Sequence, residues 1–161
     1  MNLPEHTTRT TRRPAPLDDV SRALIELLQR DGRQSYASLA AAVNLSETTV
    51  RQRVQRLVEA GVIQVVAVTD PTQIGFARQA MIGIHVDGDP SAPLAALEAL
   101  PEVEYLVSTA GTFDLLVEVV CEDDEHVLDL LSRLRRLPGV SGTETFLYLK
   151  LHRQRYDWGT R

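Results

Sequence analysis

The order of predicted strands and helices over residues 79–151 is the feature that most restricts the fold of this chain. Alternating and β-branched apolar residues predict strands at 79–86, 103–110, 113–120 and 140–151, and apolar stripes at helical spacing predict helices at 91–100 and 124–137. The order β-α-β-β-α-β is that of a ferredoxin-like domain, in which two helices pack on one face of a four-stranded antiparallel sheet. Gly111-Thr112 is the predicted two-residue turn between the middle strands. The sequence therefore predicts an α+β fold.

Apolar residues on both sides of the predicted strands indicate that the sheet has a second buried face. In strand 113–120, Leu115 and Val117 point to one side, whereas Leu116 and Val120 point to the other. Because two helices cover only one face, a monomer would leave apolar sheet exposed to water. We therefore expect this domain to form an oligomer.

Residues 17–61 show the pattern of a winged-type helix-turn-helix domain. Asp18 or Asp19 begins a helix that runs to about Arg30, and Ser35 begins a short second helix. After a tight connection at Asn44-Leu45, Ser46 caps a third helix that ends at Gly61. Two short helices with a break of a few residues are typical of DNA-binding helix-turn-helix units.

The remaining segments are predicted to connect or flank these two domains. Residues 1–16 are predicted to be a disordered arm, and residues 62–78 a linker whose first part, VIQVVAVT at 62–69, forms a strand. Residues 79–152 form the predicted sensing and oligomerisation domain, and residues 153–161 form a C-terminal tail.

The charge distribution favours a nucleic-acid partner for the N-terminal part. Residues 1–61 contain nine arginines and seven acidic residues, which gives this part a net charge of +2. The rest of the chain has a net charge of −7, so the whole chain has a net charge of −5. Binding to DNA depends on local basic surface rather than on the net charge of the whole protein. The helical domain is therefore the expected DNA-binding part.

The third predicted helix is amphipathic, with one apolar arc and one polar face. Val50, Val54, Leu57 and Val58 form the arc that is predicted to face the core. Short hydrogen-bonding side chains on the polar face reach base edges, and arginine binds guanine or phosphate. The candidate DNA-binding residues are Ser46, Thr48, Thr49, Arg51, Gln52, Arg53, Gln55 and Arg56.

Other classes of function lack the residues they would need. The only cysteine is Cys121, and the four histidines have no metal-ligand spacing, so we expect neither an internal disulfide nor a metal or cofactor. We find no nucleophile motif and expect no enzyme activity. No apolar run is long enough for a membrane span, and residues 1–16 lack a secretory h-region, so we expect a cytoplasmic protein.

Several short motifs along residues 17–151 resemble the Lrp/AsnC, or feast/famine, regulators. In the helical domain they are Asp31-Gly32-Arg33, Leu39-Ala40, Leu45-Ser46, Thr49-Val50, Arg53-Val54, Leu57 and Glu59 to Ile63. Farther along they are Asp70-Pro71, Ile74-Gly75, Gly111-Thr112-Phe113-Asp114, Pro138-Gly139-Val140 and Thr145. The family's second aspartate in the first helix is replaced by Ser21, and the aromatic residue usual after Val62-Ile63 is absent.

The resemblance implies a transcriptional regulator whose binding to double-stranded DNA is modulated by a small molecule, typically an amino acid. It also implies a homodimer, often assembled into octamers, with an effector site between subunits. The implied effector-binding residues are Thr109, Ala110, Gly111, Thr112, Phe113, Asp114 and Thr145.

The sequence leaves three alternatives open. Instead of binding an effector, Gly111 could supply a positive φ that the turn requires, and Asp114 could bond to nearby backbone. An amino-acid-binding allosteric module without a transcriptional role is the alternative function.

Overall fold

The computed structural model describes residues 17–160, so the predicted arm at 1–16 lies outside the described residues. The chain divides into two compact units. Among the described residues, unit 1 contains 17–67 and 154–160, and unit 2 runs from Val68 to Arg153. The C-terminal tail therefore groups with the helical unit, although the chain reaches it through the second unit.

Unit 1 contains the three predicted helices, α1 (Asp19–Arg30), α2 (Tyr36–Val43) and α3 (Glu47–Glu59). Each begins after a residue whose side-chain oxygen accepts a bond from the backbone N–H three residues later, and these caps are Asp18, Ser35 and Ser46. Asn44 ends α2 in the left-handed conformation, with a φ of 54°. The helix-turn-helix prediction is therefore confirmed, although the described residues of unit 1 contain no strand that would form a wing.

Helix α3 packs into the core of unit 1 through one narrow row of apolar side chains. Leu24, Leu39 and Val50 are completely buried, and Val54 and Leu57 are nearly so. The prediction that Val58 faces the core is wrong, because its side chain is 44% exposed. At about 100° per residue, Val58 lies at the edge of the arc that the three buried α3 residues define.

The predicted strand at 62–69 is absent. Residues 63–70 have no regular secondary structure, and Val65, Val66 and Val68 are 58%, 69% and 61% exposed. A β-branched segment becomes a strand only when a neighbouring strand satisfies its backbone, and no described segment pairs with this one. A short 3₁₀ helix, Pro71–Ile74, follows.

Unit 2 has the predicted β-α-β-β-α-β order, in an antiparallel sheet of strand order β2-β3-β1-β4. The elements are β1 (Arg78–Val86), α4 (Ser91–Glu98), β2 (Val103–Ser108), β3 (Leu115–Cys121), α5 (Asp124–Leu134) and β4 (Val140–Leu147). The two helices end two or three residues earlier than expected. The α+β prediction is confirmed.

Two strand boundaries were wrong. Strand β4 stops at Leu147, opposite Ala80 of β1. The Tyr148 N–H still donates to Gln79 O over 2.8 Å, but β1 begins at Arg78 and offers no partner for residues 150–151. The connection between β2 and β3 spans residues 109–114 rather than two residues. There Asp114 bonds to β1, and this wider loop replaces the tight turn that was predicted.

The two sheet faces differ as the alternation predicted. Ile82, Val117 and Leu130 belong to a buried core between the sheet and the two helices. On the other face, which we call the open face, strand pairing places Tyr105, Glu118, Met81 and Phe146 in one row across the sheet. Tyr105 and Phe146 are 51% and 44% exposed. The prediction that both faces carry apolar residues is therefore confirmed.

Within residues 17–160, no helix has both the length and the apolar character needed to cross a bilayer.

Candidate DNA-binding and effector sites

Helix α3 turns most of the predicted DNA-binding residues toward solvent. Thr49 and Arg53 are half-buried, whereas the other six candidates are exposed: Ser46, Thr48, Arg51, Gln52, Gln55 and Arg56. The structure thus brings all eight candidates together on or beside one helix, with the six exposed residues away from its buried arc and Thr49 and Arg53 at its flanks. An exposed polar helix of this kind has the dimensions that fit a major groove.

Some of these side chains are already bonded within the chain. Ser46 caps the helix and its hydroxyl lies 2.8 Å from that of Thr49. Arg51 donates to Glu47 Oε1 over 2.8 Å, and its guanidinium lies 4.3 Å from the centre of the Tyr36 ring. Gln55 donates to Glu59 Oε1 over 2.9 Å.

Thr48, Gln52 and Arg56 differ from these residues. All three side chains are exposed, and none bonds to another side chain among residues 17–160. Their spacing of four residues aligns them along one side of the helix. We call these three residues the unpaired row, and their hydrogen-bonding groups are available to an external partner.

Arg53 is bonded to α1 instead. Its Nη1 donates to Asp18 Oδ2 over 2.6 Å and lies 3.5 Å from Ser21 Oγ. Asp18 also caps α1 by accepting from the Ser21 backbone N–H over 2.8 Å. Hydrogen bonds from Ser21 and Arg53 lower the pKa of Asp18 to about 2. Sequence reasoning recognised the cap, but a contact 35 residues apart leaves no signal in local spacing.

The predicted effector residues at 109–114 form one loop at the end of the sheet. Thr109 closes the loop with two contacts, because its N–H donates to Asp114 O over 2.9 Å and its hydroxyl donates to Phe113 O. Ala110, Gly111 and Thr112 are exposed at the tip. The loop is thus fixed at its base and open at its tip.

Asp114 connects this loop to β1. Its N–H donates to Ile84 O over 3.0 Å, and its Oδ2 accepts from the Val86 N–H over 2.8 Å. The Asp114 carboxylate therefore bonds to backbone, but to that of Val86 on β1, 28 residues away, and not to the backbone of its own turn. The alternative for Gly111 is wrong, because Gly111 is not among the residues with positive φ. A Cβ at Gly111 would meet nothing within 4 Å.

Phe113 extends from the loop over the open face. Its ring centre lies 5.0 Å from that of His85 and 6.1 Å from that of Phe146. Thr145 of β4 lies opposite Ile82 of β1, which is a buried core residue. The Thr145 side chain is therefore on the helix-covered face of the sheet. Within one chain the structure therefore does not bring Thr145 together with Phe113.

A buried carboxylate in unit 2 was not found from sequence. Glu102 is 7% exposed and accepts from Arg133 over 2.6 Å, with His126 Nε2 at 3.2 Å from the same oxygen. Burial opposes its ionisation, but a backbone N–H, Arg133 and His126 outweigh that cost, so the pKa of Glu102 lies below its ordinary value. The three residues come from distant segments and form no local motif.

The helix-turn-helix with its exposed α3 and the ferredoxin-like domain together define a DNA-binding regulator with a separate sensing domain. Two family models match this chain. Residues 17–58 match the AsnC-type helix-turn-helix domain, and residues 79–158 match the Lrp/AsnC ligand-binding domain.

Similar proteins agree with this assignment. The chain is 30% identical to the HTH-type transcriptional regulator FL11 of Pyrococcus horikoshii, over 86% of this chain and 93% of FL11. It is 32% identical to the Mycobacterium tuberculosis leucine response regulatory protein LrpA, with a TM-score of 0.79 over 86% of this chain and 96% of LrpA. The structure of Escherichia coli AsnC gives 27% identity and a TM-score of 0.78, covering 88% and 98%.

This chain belongs to the Lrp/AsnC family of transcriptional regulators. It combines a helix-turn-helix DNA-binding domain with a ligand-binding domain of that family.

Proposed function

We propose that this regulator recognises DNA through the unpaired row of α3 and that an amino acid bound at loop 109–114 modulates this recognition. The observation that carries the first part is that Thr48, Gln52 and Arg56 are exposed, aligned and without side-chain partners in the described part of the chain. The other polar residues of α3 have partners within the protein.

The position of each residue along α3 suggests its role. The N-terminal residues of a recognition helix contact base edges in the major groove, so Thr48 and Gln52 are assigned to bases. Arg56 is near the C-terminal end of the helix, where a long cationic side chain reaches the phosphate backbone. A dimer would place two such helices in successive turns of the groove, which requires a pseudo-palindromic site.

A titration of salt concentration tests the assignment of Arg56. Binding to a duplex selected by the wild-type protein from random sequence is measured by fluorescence anisotropy at several salt concentrations. We expect Arg56→Gln to weaken binding and to reduce the slope of log K against log salt by about one. Wild-type affinity and an unchanged slope would remove Arg56 from the interface.

The effector part rests on the chemistry of the loop. The backbone N–H groups of the exposed residues Ala110, Gly111 and Thr112 suit a carboxylate, and the exposed Asp114 suits an ammonium group. Val86 N–H occupies only part of the acceptor capacity of Asp114. Together these groups match the two charges of a free amino acid. We propose that Thr145 comes from β4 of a neighbouring copy across a contact other than the open face, because its side chain lies on the helix-covered face.

A thermal-shift panel of amino acids tests the effector site. Asp114→Asn keeps an oxygen that accepts from Val86 N–H but removes the charge, so we expect a folded protein that no longer responds to its amino acid. Asp129→Asn removes the same charge from an exposed position of α5 and should respond like the wild type. An Asp114→Asn protein with a normal response would exclude the proposed ammonium contact.

We further propose that the chain is a cytoplasmic homodimer that assembles through the open face, with octamers formed from dimers. The exposed row containing Tyr105 and Phe146 supports the dimer, because water contact with such a surface is unfavourable. The proposal assigns no catalytic step to the chain.

A further inference from the structure

We propose that Arg53 is a positioning residue for DNA recognition rather than a DNA contact, and that Asp18 is its partner in this role. This inference deepens the proposed function, since it assumes that α3 enters the groove. It concerns how the helix is held at the angle that lets the unpaired row reach the bases.

The geometry of Arg53 and Asp18 supports this role. The 2.6 Å contact between Arg53 Nη1 and Asp18 Oδ2 joins the middle of α3 to the residue that caps α1. Ser21, 9% exposed, lies on the same side, with its hydroxyl 3.5 Å from the guanidinium. Arg53 therefore contacts two groups at the start of α1, the Asp18 carboxylate and the Ser21 hydroxyl.

Each oxygen of Asp18 has a different task. Oδ1 accepts from the Ser21 N–H and begins α1, while Oδ2 accepts from Arg53. The same carboxylate thus fixes the start of one helix and the orientation of another. Binding sites tolerate positional errors of only about 0.5 Å and 10–20°. The contact between Arg53 and Asp18 fixes the angle of α3, so it influences the base contacts made by the unpaired row.

The electrostatics also oppose a direct phosphate contact. The charge of Arg53 is compensated by the Asp18 carboxylate, which is ionised at neutral pH and accepts from Arg53 over 2.6 Å. Arg56 has no such partner among residues 17–160. A phosphate that bound Arg53 would have to compete with a carboxylate already in contact with it, and would be repelled by that carboxylate.

Asp18→Asn separates the two tasks of Asp18. Asparagine is as good an N-cap as aspartate, so its oxygen still accepts from Ser21 N–H. Its other atom is an NH₂ group, which cannot accept from Arg53. If Arg53 positions α3, this variant weakens DNA binding by about threefold, the size expected for a half-exposed ion pair. If Arg53 contacts DNA, the variant frees a cation and removes a repelling acid, so binding strengthens.

The experiment measures the affinity of the full-length chain for the selected duplex as a function of salt, using Asp18→Asn, Arg53→Met and the double variant. We expect each single variant to weaken binding with an unchanged salt slope, and the double variant to be no weaker than Arg53→Met alone. Tighter binding by Asp18→Asn, or a slope reduced by about one in Arg53→Met, would overturn the proposal.

Two controls keep this result distinct from other failures. Arg56→Gln reports on the proposed DNA interface itself, so an effect there with none in Asp18→Asn rejects only the positioning role. Helix content from circular dichroism identifies a variant that has unfolded. If Arg53→Met unfolds, Asp18→Asn alone decides, because its cap is retained.

Discussion

The ring of Phe113 lies directly over Gly83 on the open face of the sheet. A Cβ added to Gly83 would be 2.6 Å from three atoms of that ring, closer than real Cβ atoms approach any neighbour. The ring belongs to the proposed effector loop, and it contacts His85 and Phe146 of the open face. Because Gly83 has no side chain, the ring of Phe113 can pack there and connect the loop to the proposed dimer surface.

Gly83→Ala should displace Phe113 and destabilise unit 2. The added methyl group overpacks the contact, for which we expect a loss of about 1–3 kcal/mol in the free energy of unfolding. Denaturant titration measures this loss, and a thermal-shift assay with amino acids measures the weakened effector response expected when the loop moves.

Gly111→Ala is the matched control for that substitution. Position 111 has open space around it and φ outside the left-handed region, so we expect a change within about 0.5 kcal/mol. Equal destabilisation by the two substitutions would mean that the loss of stability in Gly83→Ala does not come from the contact with Phe113.

Glu102→Gln should destabilise unit 2 by about 1–3 kcal/mol, because it removes the charge that Arg133 and His126 contact in a buried site. The pKa of Glu102 is lowered in the folded protein, so its contribution is present above the ordinary carboxyl pKa and is lost as the pH falls through the folded value. Denaturant titrations at several pH values should show the two proteins converging in acid. The exposed neighbour substitution Glu104→Gln should have no such effect.

Acid titration also tests the contact between Asp18 and Arg53. Because the pKa of Asp18 is lowered to about 2, its ion pair stabilises unit 1 above about pH 4 and stops doing so as the pH approaches 2. We expect the wild type to have the higher melting temperature near neutral pH, by circular dichroism, and the difference from Asp18→Asn to disappear in acid. A constant difference across this range would show that ionisation of Asp18 is irrelevant to stability.

Phe146→Asp should shift the chain from dimer to monomer. The substitution places a charge in the exposed aromatic row of the open face, where an interface would have to desolvate it. Sedimentation velocity measures the change. Leu128→Asp, at a 65% exposed position of α5, provides the control and should leave the dimer intact. A dimeric Phe146→Asp protein would place the dimer interface elsewhere.

The sequence predicted the local elements well wherever caps and periodicity carried the information. Asp18, Ser35 and Ser46 begin their helices as expected, and the strand order follows from the β-α-β-β-α-β pattern. The segment at 62–69 was mistaken for a strand because β-branched composition measures suitability for a sheet, whereas a strand also requires a partner.

Contacts between distant residues were beyond the reach of sequence patterns. In the sequence, Arg53 occupies a position on α3 that would also suit a phosphate-binding arginine. Only the position of Asp18 in space distinguishes a phosphate contact from the proposed positioning role. Glu102 likewise resembles a surface glutamate until α5 brings Arg133 to it. Loop 109–114 was recognised by its motif, but its width depends on the bond between Asp114 and Val86.

Selection of DNA from a random library by the wild type, Gln52→Ala and Gln55→Ala tests most directly whether the unpaired row reads bases. We expect Gln52→Ala to lose preference at one position in each half-site, at a cost of about 1–3 kcal/mol for the lost contact. Gln55→Ala, whose amide is bonded to Glu59, should select the wild-type sequence. Selection of that same sequence by Gln52→Ala, with wild-type affinity, would contradict the account.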